Sequence, residues 1–562
     1  MSRVHLSRLP GDRVLLTGDG TGGDEEVLAL ADLPAHVAAR EAEGPRWVWD
    51  DTARWYPLLL AHGVRVGRCH DLRLGHHLLR RAPEVDHGLL DGPDRPLWDG
   101  LGPVVAGDPV LFSADATEHL RADAEDARQV AAVDASPASA RLTLLLAAES
   151  AGALAAAEMT HAGVPWRVDV HQRILADLLG PRPPRGARPL LLERAADEVR
   201  EILGSPALNP DSRPDLMTAL RRAEVDVPDT RASTLGRVDH PVVEPLLRYK
   251  KLAHLFQTVG WAWSDEWVSA GRFRPVYQPA GSATGRWSSN GGGALSFPAV
   301  VRPAAVADDG WVLVAADVAQ LEPRVLAGMS GDTALARAAR GADLYQGMVD
   351  DGAVTSRQHA KLGLLGAMYG ATSGESGRMV ADLSRRYPRA FGLVEEAARV
   401  GERGQVVRTL LGRGCPALGG SWRDEPDAPP DDLTDLDRRR RAYGRFTRNF
   451  VVQGTGAEWA LCWVADLRNR LWALGDDGPV EARPHLVFFL HDEVVVHAPA
   501  ELADAVVAAV RDAADGAARL LFRDLPIDFP LSVSVVRSYA EAGKDAGRDA
   551  GENATPVGEQ RA

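Results

Sequence analysis

Along this chain, apolar positions repeat with two different periods, and the alternation divides it into blocks. Residues 1–135 mix the two. VLLTG (Val14 to Gly18) and RWVWD (Arg46 to Asp50) read as short strands, whereas ARWYPLLLAHGV and LRLGHHLLRR carry the apolar spacing of helices. From about 140 to 260 the pattern is helical. RLTLLLAAESAGALAAAEMTHAGV is Ala- and Leu-rich and stops at a glycine, PRPPRGARP (Pro181 to Pro189) is a loop, and EPLLRYKKLAHLFQTVG is an amphipathic helix with a basic edge. Strands return after about 270. WVLVAAD (Trp311 to Asp317) reads as a buried strand, followed by helix to about 410. An exposed Pro- and Asp-rich segment, SWRDEPDAPPDD (Ser421 to Asp432), precedes the basic run RRRRAYGRFTR (Arg438 to Arg448). Then come a helix, a hairpin within LVFFLHDEVVVHAP, another helix and a last strand, PLSVSVV (Pro530 to Val536). The tail from about Glu541 has no apolar period and is expected to be disordered.

With 562 residues, 45% hydrophobic and 25% charged, the composition is that of a globular protein of two to four domains. No apolar run is expected to approach the length that spans a bilayer, and MSRVHLSRLPGDR lacks the apolar core of a signal peptide. A cytoplasmic protein is therefore expected. Cys69, Cys415 and Cys462 are too far apart for a metal-ligand spacing or a disulfide framework. The net charge of −14 argues mildly against a nucleic-acid partner, but local clustering of charge decides that question.

Three stretches carry candidate chemistry. The strand WVLVAAD ends in Asp317 and leads into a helical segment, so the carboxylate lies at a strand's edge. A helix N-cap is the alternative reading of that aspartate. In the hairpin, His491, Asp492 and Glu493 interrupt two apolar runs; an ordinary solvated turn is the alternative there. Two aspartates on neighbouring strands would repel each other, and Mg²⁺, which takes one or two carboxylates plus phosphate oxygens, would relieve that repulsion. In RQHAKLGLLGAMYG, Arg357, Lys361, Leu365 and Tyr369 recur every four residues and form one helical stripe. Cations at its start suit a triphosphate, and apolar and aromatic groups further on suit a sugar and a base. A plain amphipathic helix is the alternative.

Taken together, these stretches resemble the motifs of the family A DNA polymerases, the bacterial DNA polymerase I class. DVAQLEPR is similar to that family's motif A, RQHAKLGLLGAMYG to motif B, and HDE in its hairpin to motif C. TGRWSS at Thr284 and RFTRNFVVQGT at Arg445 resemble two lesser motifs, all in the family's order. The resemblance implies a multidomain α/β chain: an RNase H-like exonuclease-type N-terminal domain, then a right-hand polymerase with helical thumb and fingers and an antiparallel-sheet palm. The implied divisions are 1–135 exonuclease-like, 136–265 thumb, 266–335 first part of the palm, 336–449 fingers, 450–540 second part of the palm and 541–562 tail.

By the same resemblance, Asp317, Asp492 and the carbonyl of Val318 would hold two Mg²⁺ ions, with Mn²⁺ a possible substitute, and Glu493 would support them. Arg357 and Lys361 would bind the β- and γ-phosphates, Lys361 also protonating the leaving pyrophosphate. Leu365, Tyr369, Gln320 and Tyr345 fall at nucleotide-binding positions, and Glu322 would collide with a ribose 2′-hydroxyl. His491 would touch the primer's terminal phosphate, and Arg286, Arg445, Asn449 and Gln453 would read the minor groove. The implied partners are primer–template DNA and dNTPs, in a nucleoid-associated monomer.

Three positions depart from the family pattern. Leu365 replaces an aromatic residue, Tyr345 replaces a histidine, and NGGGALSF, following Ser289, replaces an Asn- and Gln-containing stretch, which implies a looser grip on template. In the N-terminal block the only early D-x-E is Asp24 to Glu26, Trp55 stands where a second catalytic aspartate belongs, and no Y-x-x-x-D precedes residue 140. An inactive proofreading domain is therefore expected, with no 5′-nuclease domain in a chain of this length. The rival readings are a bifunctional 3′–5′ exonuclease/polymerase and a catalytically weak protein that binds primer ends.

Overall fold

The computed structural model describes residues 2–18, 25–103, 120–293, 295, 298–370, 374–419, 433–475, 478–523 and 525–542. Asp24, the SWRDEPDAPPDD segment and the tail beyond 542 lie outside these residues.

Five strands open the chain: β1 (Arg3–Leu9), β2 (Arg13–Gly18), β3 (Glu25–Ala29), β4 (Arg46–Trp49) and β5 (Cys69–Asp71). Their order is β3-β2-β1-β4-β5; the first three pair antiparallel, and β4 and β5 join parallel. The sequence reading marks β2 and β4 but not β1, although Val4 and Leu6 alternate there with His5 and Ser7; β3 and the three-residue β5 carry little signal. Trp47, Trp49, Trp55 and Tyr56 fill the core between this sheet and the Thr52–Ala61 helix. Leu154 belongs to the same core, which is thereby fastened to the Ser139–Ala162 helix.

That 24-residue helix corrects one expectation. It is long and apolar enough to cross a membrane by length and composition, but 72% of its apolar window is buried inside the fold, so it serves as a core helix. It ends at Gly163, whose φ of +70° suits the chain reversal into β6 (Val164–Pro165). β6 pairs with β8 (Arg272–Phe273), which pairs with β7 (Val268–Ser269). Between them, the Leu190–Ile202 and Val243–Val259 helices pack against each other.

β9 (Val276–Gln278) and β10 (Ser288–Gly291) form a small hairpin. Gly291 lies so close to the Trp267 ring that a Cβ would meet it at 2.2 Å, and Trp263 donates to the Gly292 carbonyl at 2.7 Å. The described part of the Gly-rich stretch is therefore pinned by aromatic rings.

The C-terminal sheet has the order β12-β13-β11-β14, from β11 (Trp311–Val318), β12 (His485–Leu490), β13 (Glu493–Pro499) and β14 (Leu531–Val536), all antiparallel. Val- and Leu-rich faces pack this sheet on the Ala503–Phe522 helix. Between β11 and β12 the chain runs through the Leu344–Asp350, Arg357–Tyr369, Gly374–Arg386 and Pro388–Glu402 helices. It then enters one helix of 42 residues, Leu433–Leu474, so the division drawn at 449/450 falls inside a single helix.

Candidate active site

β11 ends where the candidate site begins. Asp317 pairs in register with Glu493, and the Val318 amide donates to the Asp492 carbonyl at 3.0 Å. The two aspartates thus lie on neighbouring strands at one end of the sheet. Asp317 is still in the strand; the helix that follows has Gln320 at its N-cap, which removes the capping alternative. The backbone departs from common geometry beside both aspartates. Gln320 takes φ +58° and ψ +44°, and His491 takes φ +56°, conformations that cost L residues of the order of 1 kcal/mol each. At His491 this permits the tight turn in which the Asp492 amide reaches the Leu490 carbonyl at 2.6 Å.

The electrostatics match carboxylates crowded together. Asp317 is exposed at the strand end, but desolvation, followed by the charges of Asp492 and Glu493, pushes its pKa up to about 7. Desolvation also raises Asp492, to about 6, despite the opposing charge of Arg286. Desolvation and the same guanidinium hold His491 down at about 4, so the ring is neutral at pH 7. Glu493 accepts from the Tyr539 hydroxyl at 2.6 Å, which ties it to the wall. Among the described residues neither Asp317 nor Asp492 has a salt-bridge partner, and no cluster of three His, Cys, Asp or Glu side chains suited to a metal ion occurs. Two carboxylates with a main-chain carbonyl fit a hard divalent cation that keeps water and substrate oxygens as its other ligands.

A cavity of about 200 Å³ adjoins this edge, and Arg286, Gln320, Glu322, Tyr369, His491 and Asp492 all line it. Glu322 is its hub: it accepts from Arg286 Nη2 at 2.6 Å and from the Tyr369 hydroxyl at 2.8 Å. Tyr369 is the exposed end of the Arg357–Tyr369 helix, which is capped by Ser356 and closed at Gly370 with φ +81°. Lys361 and Leu365 lie half-buried one and two turns from Arg357, and Leu365 packs on the core. Arg357 donates to Asp343 at 2.6 Å and lies 5.8 Å above the Tyr345 ring. Tyr345 is 5% exposed, so it supports that arginine from within the fold. Gln320, at the cavity wall, is held by two hydrogen bonds: its amide donates to Asp343 at 2.7 Å, and its carbonyl accepts from the Leu344 amide at 2.8 Å.

Arg445, Asn449 and Gln453 follow one another along one side of the 42-residue helix. Arg445 passes beside Gly370, and Asn449 Oδ1 is a buried acceptor with no hydrogen-bond partner among the described residues.

Sequence reasoning missed two members of this site. Asp343 accepts from Gln320, Arg357 and the amides of Tyr345 and Gln346. Desolvation would raise its pKa, but the Arg357 and Gln320 hydrogen bonds hold it below the ordinary range. Its place before a helix was a readable capping signal. Arg324, at the end of DVAQLEPR, is completely buried and donates to the carbonyls of Ala319, Ala339, Gly341, Ala342 and Asp528. It binds the strand–helix junction together.

Comparison with known proteins agrees with the geometry. The model of DNA polymerase family A matches residues 192–541. The thermostable DNA polymerase I of Thermus filiformis is 28% identical over 431 residues, 66% of this chain and 47% of that protein. DNA polymerase I of Chloroflexus aurantiacus is 29% identical over 323 residues, 53% of this chain and 32% of that protein. The chain spans about half the length of the Thermus relative, and less of the Chloroflexus one. Among solved structures, the POL domain of Pol1 from M. smegmatis, in complex with DNA primer-template and dNTP, superposes with a TM-score of 0.69 over 96% of both chains; at 21% identity this is a likeness of fold. The chain belongs to DNA polymerase family A.

Proposed function

We propose that this chain is a template-directed DNA polymerase that adds dNMPs to a primer 3′-hydroxyl, and that its N-terminal domain no longer proofreads. The observation that carries the first part is the pairing of β11 with β13, which sets Asp317 beside the Asp492 turn at the rim of a cavity. Asp317, Asp492 and the Val318 carbonyl would hold two Mg²⁺ ions, or Mn²⁺ in their place. When bound, the ions supply activation of the 3′-hydroxyl and charge neutralisation at the leaving pyrophosphate.

The remaining work falls to the chain's own groups. Arg357, aimed by Asp343 and backed by Tyr345, and Lys361 one turn on, receive the triphosphate; Lys361 gives its proton to pyrophosphate. Glu322 closes the space beside the sugar where a 2′-hydroxyl would sit. Arg286, Arg445, Asn449 and Gln453 face the minor groove of the nascent pair, whose acceptors are nearly independent of sequence. His491, neutral at pH 7, lies against the primer's terminal phosphate.

Loss of proofreading, on a domain we read as exonuclease-like from its strand order, is supported by the state of Asp126. This carboxylate on the Ala122–Asp134 helix accepts from Arg3 Nε and from His5 Nε2, each at 2.8 Å, and His70 Nε2 lies 3.9 Å away. The Arg3 guanidinium thus already occupies one side of this carboxylate, with His5 on the same oxygen, so a catalytic cation would meet a positive charge there. A polymerase without proofreading suits gap filling in DNA repair.

Extension of a labelled primer–template with Mg²⁺ and dNTPs tests both parts. Extension by the wild type and none by Asp492→Ala is the expected result. Tight primer-end binding without extension would favour the DNA-binding reading, and primer shortening in a lane lacking dNTPs would overturn the loss of proofreading.

A further inference from the structure

Behind the cavity, a second polar network lies outside the groups that meet substrate. The turn that presents Arg286 runs through Gly285, whose φ is +84°. The Arg413 guanidinium lies flat against it: a Cβ on Gly285 would stand 2.6 Å from Arg413 Cζ. Two constraints, the left-handed backbone and the guanidinium, thus reserve this position for glycine. Arg413 is 7% exposed and pairs with Glu149, itself 1% exposed, on the Ser139–Ala162 helix. The Arg413 amide donates to Thr409 Oγ1 at 2.9 Å, and Thr409 in turn donates to Glu458. Glu458 accepts the Leu411 amide at 3.0 Å, and Thr455 Oγ1 accepts the Leu410 amide at 3.0 Å; both come from the 42-residue helix.

The outer side of this 408–414 loop rests on the N-terminal domain. Leu411 shares a core with Leu78, Leu79, Ala82, Val85 and Leu90. A Cβ on Gly414 would stand 1.8 Å from the Arg81 carbonyl, so backbone meets backbone there. Arg408 pairs with Glu84 at 3.2 Å. The loop is a wedge between the N-terminal domain and the Arg286 turn.

We infer that Arg413 is a positioning residue for the polymerase reaction: pressed on Gly285 and held by Glu149, it fixes the turn that aims Arg286 at Glu322 and the cavity. The inference rests on the polymerase reading for its catalytic consequence but not for its structural one. It also gives the N-terminal domain a task independent of nuclease chemistry, since that domain backs the wedge.

Two measurements test it on the full-length chain. In the first, single-nucleotide extension from a matched primer is compared for wild type, Arg413→Met, Arg286→Ala and the double variant. Arg413→Met is paired with Glu149→Met in a further variant, so that Glu149 is not left as an unpaired buried charge, while Glu458 keeps its hydrogen bonds from Thr409 and the Leu411 amide. The expected loss for the Arg413 change is of the order of 10-fold or more in the wild-type background, the scale of a small misplacement near the reacting centre. In the Arg286→Ala background the further loss is expected to be under about 2-fold, because the group being aimed is gone. Equal losses in both backgrounds would overturn the inference.

The second measurement is amide exchange of segment 282–287, where the Gly285 amide donates to Ser282 and the Ser282 amide to Arg286. Faster exchange there in the Met/Met variant is expected, while exchange at 311–318 is unchanged. Unaltered exchange at 282–287 would overturn the inference, and it can be read even if the wild type does not extend primers, the result that would refute the polymerase reading.

Discussion

Asp492→Asn should make this protein more stable in the absence of divalent metal while abolishing its activity. The folded-state pKa of Asp492 is raised from 3.8 to about 6, first by desolvation. Between those values the folded chain keeps a proton that the unfolded chain has released, so stability falls as pH rises through that window, and the full cost stands above it. The raised pKa corresponds to about 3 kcal/mol, and partial exposure to solvent reduces this to about 1–2 kcal/mol. Asparagine has no charge to desolvate, and its presence also relieves Asp317, whose pKa the Asp492 charge helps to raise. Urea unfolding in EDTA at pH 5 and pH 8 reads the effect. The advantage of the variant should grow by about 1 kcal/mol between the two pH values. Adding Mg²⁺ at pH 8 should then stabilise the wild type and leave the variant nearly unchanged. A variant less stable than wild type at pH 8, or a difference that does not change with pH, would refute the argument that the site stores repulsion for a cation.

Three further outcomes are expected. Glu322→Ala should lower discrimination against ribonucleotides by the order of 10²-fold, measured as the ratio of dNTP to rNTP insertion, and an unchanged ratio would remove Glu322 as the sugar gate. Leu365→Phe restores an aromatic face worth about 0.5–1.5 kcal/mol, so KM for dNTP should fall by about 2- to 10-fold with kcat nearly constant. Glu158→Gln strands the buried Arg468, which donates to Glu158 at 2.7 Å and to the Gly67 carbonyl at 3.1 Å. Breaking that pair should cost about 3–5 kcal/mol, seen as earlier unfolding of the N-terminal domain in calorimetry; an unchanged thermogram would contradict it.

The parts of the site that were legible in sequence are those with short-range patterns. DVAQLEPR follows a buried strand, HDE interrupts a hairpin, and the four-residue stripe from Arg357 to Tyr369 is one helix. Contacts between distant segments were not legible. The role of Arg324 depends on carbonyls as far away as Asp528, and the pairing of His5 with Asp126 spans 121 residues. β1 escaped notice although Val4, His5, Leu6 and Ser7 alternate apolar and polar, the period of a strand, and β5 because three residues carry no period. Gln320 donates to Asp343, and Tyr345 lies under the Arg357 guanidinium; these supporting contacts are set by packing, which a motif does not record.

The strand order β12-β13-β11-β14 also sets a timetable. Both hydrogen-bonding partners of β11 are made after it, the first at Glu493 and the second at Leu531. As the chain emerges from the ribosome, the Val-rich strand ending at Val318 waits with two open edges while 175 residues separate it from Glu493. At 5–20 residues per second that interval is roughly 10–35 s. An apolar strand with free edges is a template for pairing with other chains. The helices built in the meantime can fold from local contacts, but the two aspartates meet only once the hairpin carrying Asp492 has emerged. Yield of soluble protein should therefore depend on what shields β11 during that interval, and slower translation across residues 319–492 should favour aggregation over assembly of the site.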